Sequence, residues 1–282
     1  MRAGRTLVPD AAAAADAWSA LVIAERQQVE RLPDRPRPED FYAPVAESFR
    51  ADPRRRDEPL LEVLRALVRP EETWLDIGAG GGRYTLAIAL LAKRVYAVEP
   101  SAGMRQVLSQ AAREHGIENL EVLDERWPCE SRAPHADVAF ISQVGYDIAE
   151  FGAFVDQMEA HSRRLCVAVL FERAPIAEFA VLWPSVHGEE RILLPGLGEF
   201  LVLLLAKGRL PEVRLLSLPP RTYPDLDALT SAARRPLWVL EGSAQDEKLK
   251  AAVRAAAVAV PGGYALNPKP RRLGVVTWEP GG

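Results

Sequence analysis

The chain has 282 residues, of which 48% are hydrophobic and 26% charged, a composition that suits one large or two small globular domains. It excludes a disordered chain, which lacks the apolar surface to offset chain entropy. With 35 basic and 39 acidic residues the net charge is −4, so the balance points to neither nucleic acid nor an anionic membrane as partner.

Two cysteines, Cys129 and Cys166, are too few for a disulfide framework or a four-thiolate metal site and read as buried thiols in a reducing compartment. The N-terminal alanine run is broken by Asp10 and Asp16, so it lacks the apolar core of a signal peptide. The most apolar stretch, 192–206, is interrupted by Pro195 and Glu199 and is too short to span a bilayer. A cytoplasmic protein with no membrane contact is expected.

In chain order, residues 11–30 are predicted helical, with Trp18, Leu21, Val22 and Ile23 among polar positions. Pro33, Pro36 and Pro38 make 31–40 a linker. A second helix is expected over about 39–50, carrying Phe41, Tyr42, Val45 and Phe49. The run Arg54-Arg55-Arg56 reads as a solvated loop. A third helix, 58–69, is amphipathic, with Leu60, Leu61, Val63, Leu64, Leu67 and Val68. Residues 1–56 are thus read as a helical extension before a domain over 57–282.

From Glu72 the pattern alternates. Strands are predicted at 73–77, 94–99, 119–123, 137–142 and 165–171, with helices at about 82–92, 102–114 and 148–162. Such alternation gives right-handed parallel βαβ units and a doubly wound α/β sheet. Residues 174–210 read as a helical lid insertion. A strand follows at 212–218, then helices at 225–235 and 245–258, a turn at Gly262-Gly263 and a last strand at 272–278. Between these two strands lie the 52 residues of 220–271. The sequence leaves this second helical insertion three places: on the outside, at a homodimer contact, or beside a substrate pocket.

The informative segment is Trp74-Leu75-Asp76-Ile77-Gly78-Ala79-Gly80-Gly81-Gly82-Arg83-Tyr84, in which an apolar strand ends in an acid and a glycine-rich turn opens a helix. Gly78 and Gly80 can take positive φ and let a ligand touch the backbone, and the helix start offers free N–H groups. A dinucleotide fingerprint wants a third glycine where this chain has Arg83, and Asp76 would repel a pyrophosphate while suiting a cation. Glu99 ends the next strand, 19 residues past Gly80, where an acid accepts both hydroxyls of a ribose. One acid for a positive group and one for a ribose describe a charged nucleoside.

These residues resemble the class I S-adenosylmethionine-dependent methyltransferases. Asp76 to Gly82 is similar to that family's first motif, D-x-G-x-G-x-G, and Glu99-Pro100-Ser101-Ala102-Gly103-Met104 to its "acid then P-S-x-x-M" segment. The resemblance implies a mostly parallel seven-stranded, Rossmann-like sheet with added helices, and S-adenosylmethionine as cofactor. It implies further that Gly78, Ala79, Gly80 and Gly82 line the cofactor's amino-acid part with Asp76 nearby. Glu99 would then hold the ribose, with Pro100, Ser101 and Met104 bordering the adenine. Where the family has "G-D" after its third strand this chain reads Asp124-Glu125-Arg126-Trp127, so the adenine contact falls to the Arg126 and Trp127 backbone or to Asp124 or Glu125. Ser142, with Gln143 and Val144, leaves the fourth strand where the family's active site opens, and Tyr42 is a candidate cover.

The site's omissions also bear on substrate. The segment Ser142-Gln143-Val144-Gly145-Tyr146 lacks the [DNS]-P-P-[YFW] motif of amino-methylating nucleic-acid enzymes, Pro128-Cys129 lies in the wrong place for a cytosine-C5 nucleophile, and no paired acids suggest a metal. Methyl transfer from a sulfonium is an in-line displacement in which positioning dominates, and a base is needed only when the nucleophile carries a proton. His187, whose ordinary pKa is about 6.5, and Tyr146 are the candidate bases. The reading is methyl transfer to a small-molecule acceptor; its alternative is a non-catalytic cofactor-binding or interaction protein with a degenerate site.

Overall fold

The computed structural model describes residues 9–33, 40, 42–129 and 134–281. Its strands form where aliphatic runs are bounded by turn residues. β1 (Thr73–Ile77), β2 (Arg94–Val98), β3 (Leu120–Leu123), β4 (Ala136–Ser142) and β5 (Ser162–Phe171) are parallel. β6 (Glu212–Leu218) follows, then a short hairpin of β7 (Val258–Val260) and β8 (Gly263–Ala265), then β9 (Arg271–Trp278). The main sheet has seven strands in the order β3-β2-β1-β4-β5-β9-β6, with β9 antiparallel to both its neighbours. This is the doubly wound sheet expected. Its order reverses between β1 and β4, so the crevice for a ligand opens at the C-terminal ends of those two strands.

The helices are α1 (Ala11–Glu30), α2 (Pro59–Leu67), α3 (Thr85–Ala89), α4 (Ala102–Glu114), α5 (Phe151–Ala160), α6 (Trp183–His187), α7 (Leu197–Ala206), α8 (Leu226–Arg234) and α9 (Ala244–Ala256). Side chains alternate across each strand, so both sheet faces are covered. On one face Leu75, Ile77, Ala139, Ile141 and Leu170 meet Trp18 of α1, Phe151 and Phe154 of α5, and Phe200 of α7. On the other, Trp74, Val138, Phe140 and Val167 meet Leu60 and Leu64 of α2, Leu86 and Ile88 of α3, and Leu108 of α4.

The N-terminal helix belongs to this core. Asp10 caps α1 by accepting from the Ala13 amide at 2.8 Å, and Trp18 stacks on Phe151 with ring centroids 4.6 Å apart while its indole N–H donates to the Ile148 carbonyl. A third apolar cluster joins Phe179, Leu182 and Trp183 to Leu229, Leu249 and Val253, with Val29 at the end of α1. The two helical insertions, separate in sequence, therefore share one core.

Three of the boundaries that differ from expectation do so for a local reason. The helix expected over 39–50 is a 3₁₀ turn at Ala43–Phe49 with Pro44 in its first turn and only Ala46 buried, while Phe41 lies outside the described residues. The helix expected from 82 begins at Thr85, because Gly78, Gly80 and Gly82 keep the loop at positive φ up to that point. The helix expected to reach 258 ends at Ala256, and Val258-Ala259-Val260 pairs with β8 instead.

Candidate functional site

The site begins with the turn from β1 into α3. Gly78 and Ala79 donate their amides to the Val98 carbonyl at 2.8 and 3.2 Å, which holds the turn against the end of β2. Gly80 has φ +55°, and a Cβ placed there would meet only the Met104 sulfur, 4.0 Å away. That side of the loop is open. Gly82 is different: a Cβ there would come within 2.4 Å of Leu108, so this glycine lets α4 pack against the loop.

Glu99 is 6% exposed, and its carboxylate accepts from the Gly80 amide and the Ser101 amide, each at 2.8 Å. It thereby ties the glycine loop to the start of α4. Burial pushes its pKa up, against the hydrogen bonds from Ser101 and Gly80. Asp76, 3% exposed, lies beneath the loop and accepts from the Thr85 hydroxyl at 2.6 Å. Burial raises its pKa to about 7; the Thr85 hydrogen bond opposes the rise and the Glu99 charge adds to it. Two buried carboxyls thus lie close enough for the charge of one to raise the pKa of the other, with the Arg105 guanidinium opposing the rise at Glu99.

The residues after Glu99 are held from the N-terminal side. Asp40 accepts from the Ser101 hydroxyl at 2.7 Å, and its other oxygen accepts from the Tyr42 and Ala43 amides. The 3₁₀ turn therefore sits on the glycine loop and on α4, where Ala46 and Phe49 pack with Met104 and Val107. Ser101 caps α4 through the Met104 amide, and Pro100 is exposed. The Tyr42 ring meets Phe49 edge-on, and the Arg235 guanidinium lies 5.3 Å from its centre. The second insertion thus reaches the cover of the site.

On the β4 side, Val144 packs onto Gly78, where a Cβ would meet it at 2.5 Å. Gln143 takes φ +60°, a rare backbone for a non-glycine residue and one that clusters at functional sites. The Ser142 hydroxyl is buried with no hydrogen-bond partner among the described residues. After β3, Asp124 pairs with Arg105, whose guanidinium also donates to the Glu99 and Pro100 carbonyls. Glu125 is half-buried and Arg126 exposed. The Trp127 ring points into the core, where its N–H donates to the Phe154 carbonyl at 3.3 Å, so only its backbone remains for a ligand.

Of the two candidate bases, Tyr146 lies behind the β4 side of the site and His187 in the accessory cluster. Tyr146 is 6% exposed; its hydroxyl donates to Gln143 Oε1 at 2.8 Å and accepts from the Phe171 amide at 2.7 Å. Burial pushes its pKa up. It is a strut between the ends of β4 and β5. His187 packs on Trp183 in the accessory cluster, its Nε2 2.9 Å from the Leu237 carbonyl, and burial lowers its pKa. With Nε2 protonated to donate there, it braces the insertion.

Residues 75–163 match the family model described as "Methyltransferase domain". These residues, about a third of the chain, are similar to a methyltransferase domain, a family whose cofactor is S-adenosylmethionine. A relative from Haemophilus influenzae, known only as an uncharacterized protein, is 28% identical over 123 residues, 43% of this chain and 42% of that protein. The match therefore spans less than half of that relative. The YcgJ protein of Bacillus subtilis has the same fold, at TM-score 0.55 and 18% identity over 79% of this chain and 98% of its own. A candidate methyltransferase of Bacillus halodurans aligns at TM-score 0.57 and 12% identity, over 80% and 99%. Coclaurine N-methyltransferase, bound to N-methylheliamine and S-adenosylhomocysteine, aligns at 0.51 and 12%, over 92% and 86%. At these identities the likeness is one of fold.

The methyltransferase site fits its cofactor chemically. The open side of Gly80, the Ser142 hydroxyl, which has no hydrogen-bond partner among the described residues, and two buried acids suit a ligand that brings both positive charge and hydroxyls. Sequence reasoning missed Thr85, Asp40 and Arg105. Only Asp40 left a signal, as an Asp three residues before Ala43, the spacing of a capped turn.

Proposed function

We propose that this protein transfers a methyl group from S-adenosylmethionine to a small-molecule acceptor by in-line displacement. The Glu99 carboxylate carries this reading: it already accepts from Gly80 and Ser101 at the mouth of β2, beside the open face of the glycine loop. Glu99 would hold the ribose hydroxyls. Gly78, Ala79 and Gly80 would border the amino-acid part, with Asp76 beneath it and the Ser142 hydroxyl as a further partner. Ser101 and Met104 would flank the base, and Tyr42 would cover it.

When bound, the cofactor supplies an electrophilic methyl on a sulfonium. The chain's part is to orient the two reactants and exclude water, roles suited to the cap formed by the Ala43–Phe49 turn and Tyr42. Tyr146 and His187 are given no proton-transfer role, since the Tyr146 hydroxyl and the His187 Nε2 are engaged within the protein. A small acceptor is supported by the Tyr42 cover, which Arg235 of the second insertion reaches, and by analogy with the fold of coclaurine N-methyltransferase.

Calorimetric titration with S-adenosylmethionine, S-adenosylhomocysteine and NAD in parallel tests the reading. Micromolar binding of the first two and none of the third is expected, followed by transfer of labelled methyl to fractions of a small-metabolite pool. Binding without transfer to small molecules would point to a macromolecular acceptor or to a non-catalytic binder. NAD binding alone would overturn the assignment of Asp76.

A further inference from the structure

β6 runs parallel to β1–β5 and ends at Leu218, which pairs with Arg271 at the start of β9. The residues on either side of this pair therefore stand at the edge of the sheet that carries the glycine loop. Four polar side chains gather there. The Arg221 guanidinium lies 3.5 Å from the Glu178 carboxylate, and their side chains are 47% and 14% exposed. Arg271 donates from Nε to the Pro219 carbonyl, and its guanidinium lies 5.2 Å from the centre of the Phe171 ring. The Tyr223 hydroxyl is buried beside Glu178 and Arg221, and both act on its proton.

The charges in this cluster do not balance. Two guanidiniums face one carboxylate. Burial and the neighbouring Arg221 charge lower the Arg271 pKa, while burial raises that of Glu178. An ion pair that only fastened the insertion to the sheet would need one arginine. The second leaves surplus positive charge beside a buried phenol, on a side open to solvent through Arg221. Guanidinium forks and a phenol O–H are the donors that grip carboxylate or phosphate oxygens.

The position also suits an acceptor. In the sheet order, β9 is two strands from β4, about 10 Å at ordinary strand spacing. The ground between is rigid: Gln143 after β4 accepts from Tyr146, and Tyr146 accepts from the amide of Phe171, whose ring lies beside Arg271. We propose that Arg221 and Arg271, with Tyr223, form an anion subsite of the acceptor pocket, which takes a carboxylate or phosphate on a small acceptor whose methylated atom lies about 10 Å away. This rests on the methyltransferase reading above and assigns its substrate class.

The test is calorimetric titration of the full chain, saturated with S-adenosylhomocysteine, with inorganic phosphate and with succinate. One probe is expected to bind in the millimolar range or tighter, and which one does separates a phosphate from a carboxylate acceptor. Arg221→Met and Arg271→Met should each weaken it at least tenfold and leave S-adenosylhomocysteine affinity within twofold. Arg221→Lys, which keeps the charge, should retain most of the binding and so distinguish lost charge from damaged structure. Binding of neither probe, or binding unchanged in both methionine variants, overturns the subsite. Failure of S-adenosylhomocysteine to bind overturns the underlying reading instead, and the same probe titrations on the free chain then decide the subsite separately.

Discussion

Asp76 holds its proton to higher pH in the folded chain than in the unfolded one, because burial disfavours its charge. Between about pH 4 and 7 the folded state binds the extra proton, so this carboxyl's contribution to stability falls as pH rises, by up to about 1.4 kcal/mol per pH unit. Thermal melts should therefore show Asp76→Asn gaining on wild type as pH goes from 5 to 7.5; parallel curves would sink the assignment. A cationic ligand favours the ionised form, so S-adenosylmethionine binding at pH 7 should release protons, read as a buffer-dependent binding enthalpy. The glycines make a second contrast. Gly80→Val should abolish cofactor binding, because its side chain fills the open face at a backbone of φ +55°. Gly82→Ala should instead lower the melting temperature, by overpacking against Leu108 at a cost of about 1–3 kcal/mol. Glu99→Ala should weaken S-adenosylmethionine by at least tenfold, since each charge-assisted hydrogen bond contributes about 1.5–3 kcal/mol.

Among the elements, the Ala43–Phe49 turn depends most on a single side chain. Asp40 accepts from two of its amides and from Ser101 at the start of α4, so one carboxylate both shapes the turn and docks it. Those hydrogen bonds, the Ser101 hydroxyl foremost, hold its pKa below the usual carboxylate range. Asp40→Ala should cost about 1 kcal/mol in the cap itself. It should also raise amide exchange over residues 42–50 and weaken cofactor binding without altering the strands. Unchanged exchange there would show that Ala46 and Phe49 hold the turn unaided. The Arg54–Arg56 run is likewise only partly the solvated loop expected: Arg55 donates to Glu58 and to the Asp52 and Arg83 carbonyls, while Arg54 and Arg56 are exposed. Arg83, which breaks the dinucleotide fingerprint, also donates to Glu58.

At the scale of the whole molecule, α1 ties the sheet to the helical insertions. Arg191 pairs with Glu25 and lies 3.9 Å from the Trp183 ring centre, while Gln28 donates to the Glu190 carbonyl and accepts from the Ile192 amide. Burial raises the Glu25 pKa, and the Arg191 charge and hydrogen bond oppose the rise, so the pair forms at a cost in desolvation. Arg191→Met should destabilise the protein by about 3–5 kcal/mol by leaving that acid buried and alone. Adding Glu25→Gln should recover part of the loss, which chemical denaturation of the two variants would measure. Equal loss in single and double variants would mean that packing on Trp183, not charge, makes this contact.

The sequence by itself determined the sheet, the glycine loop and the acids that flank it. These rest on local signals: strand runs, glycines at a turn, and carboxyls at fixed spacing from them. The roles of Gly82, Trp127, Tyr146 and His187 were decided only by tertiary structure. Each has a side chain or missing Cβ whose neighbour is remote in sequence: Leu108 for Gly82, Phe154 for Trp127, Phe171 for Tyr146 and Leu237 for His187. The shared core of the two insertions, and the meeting of Arg221, Arg271 and Glu178, depend in the same way on contacts between distant segments, which no local periodicity records.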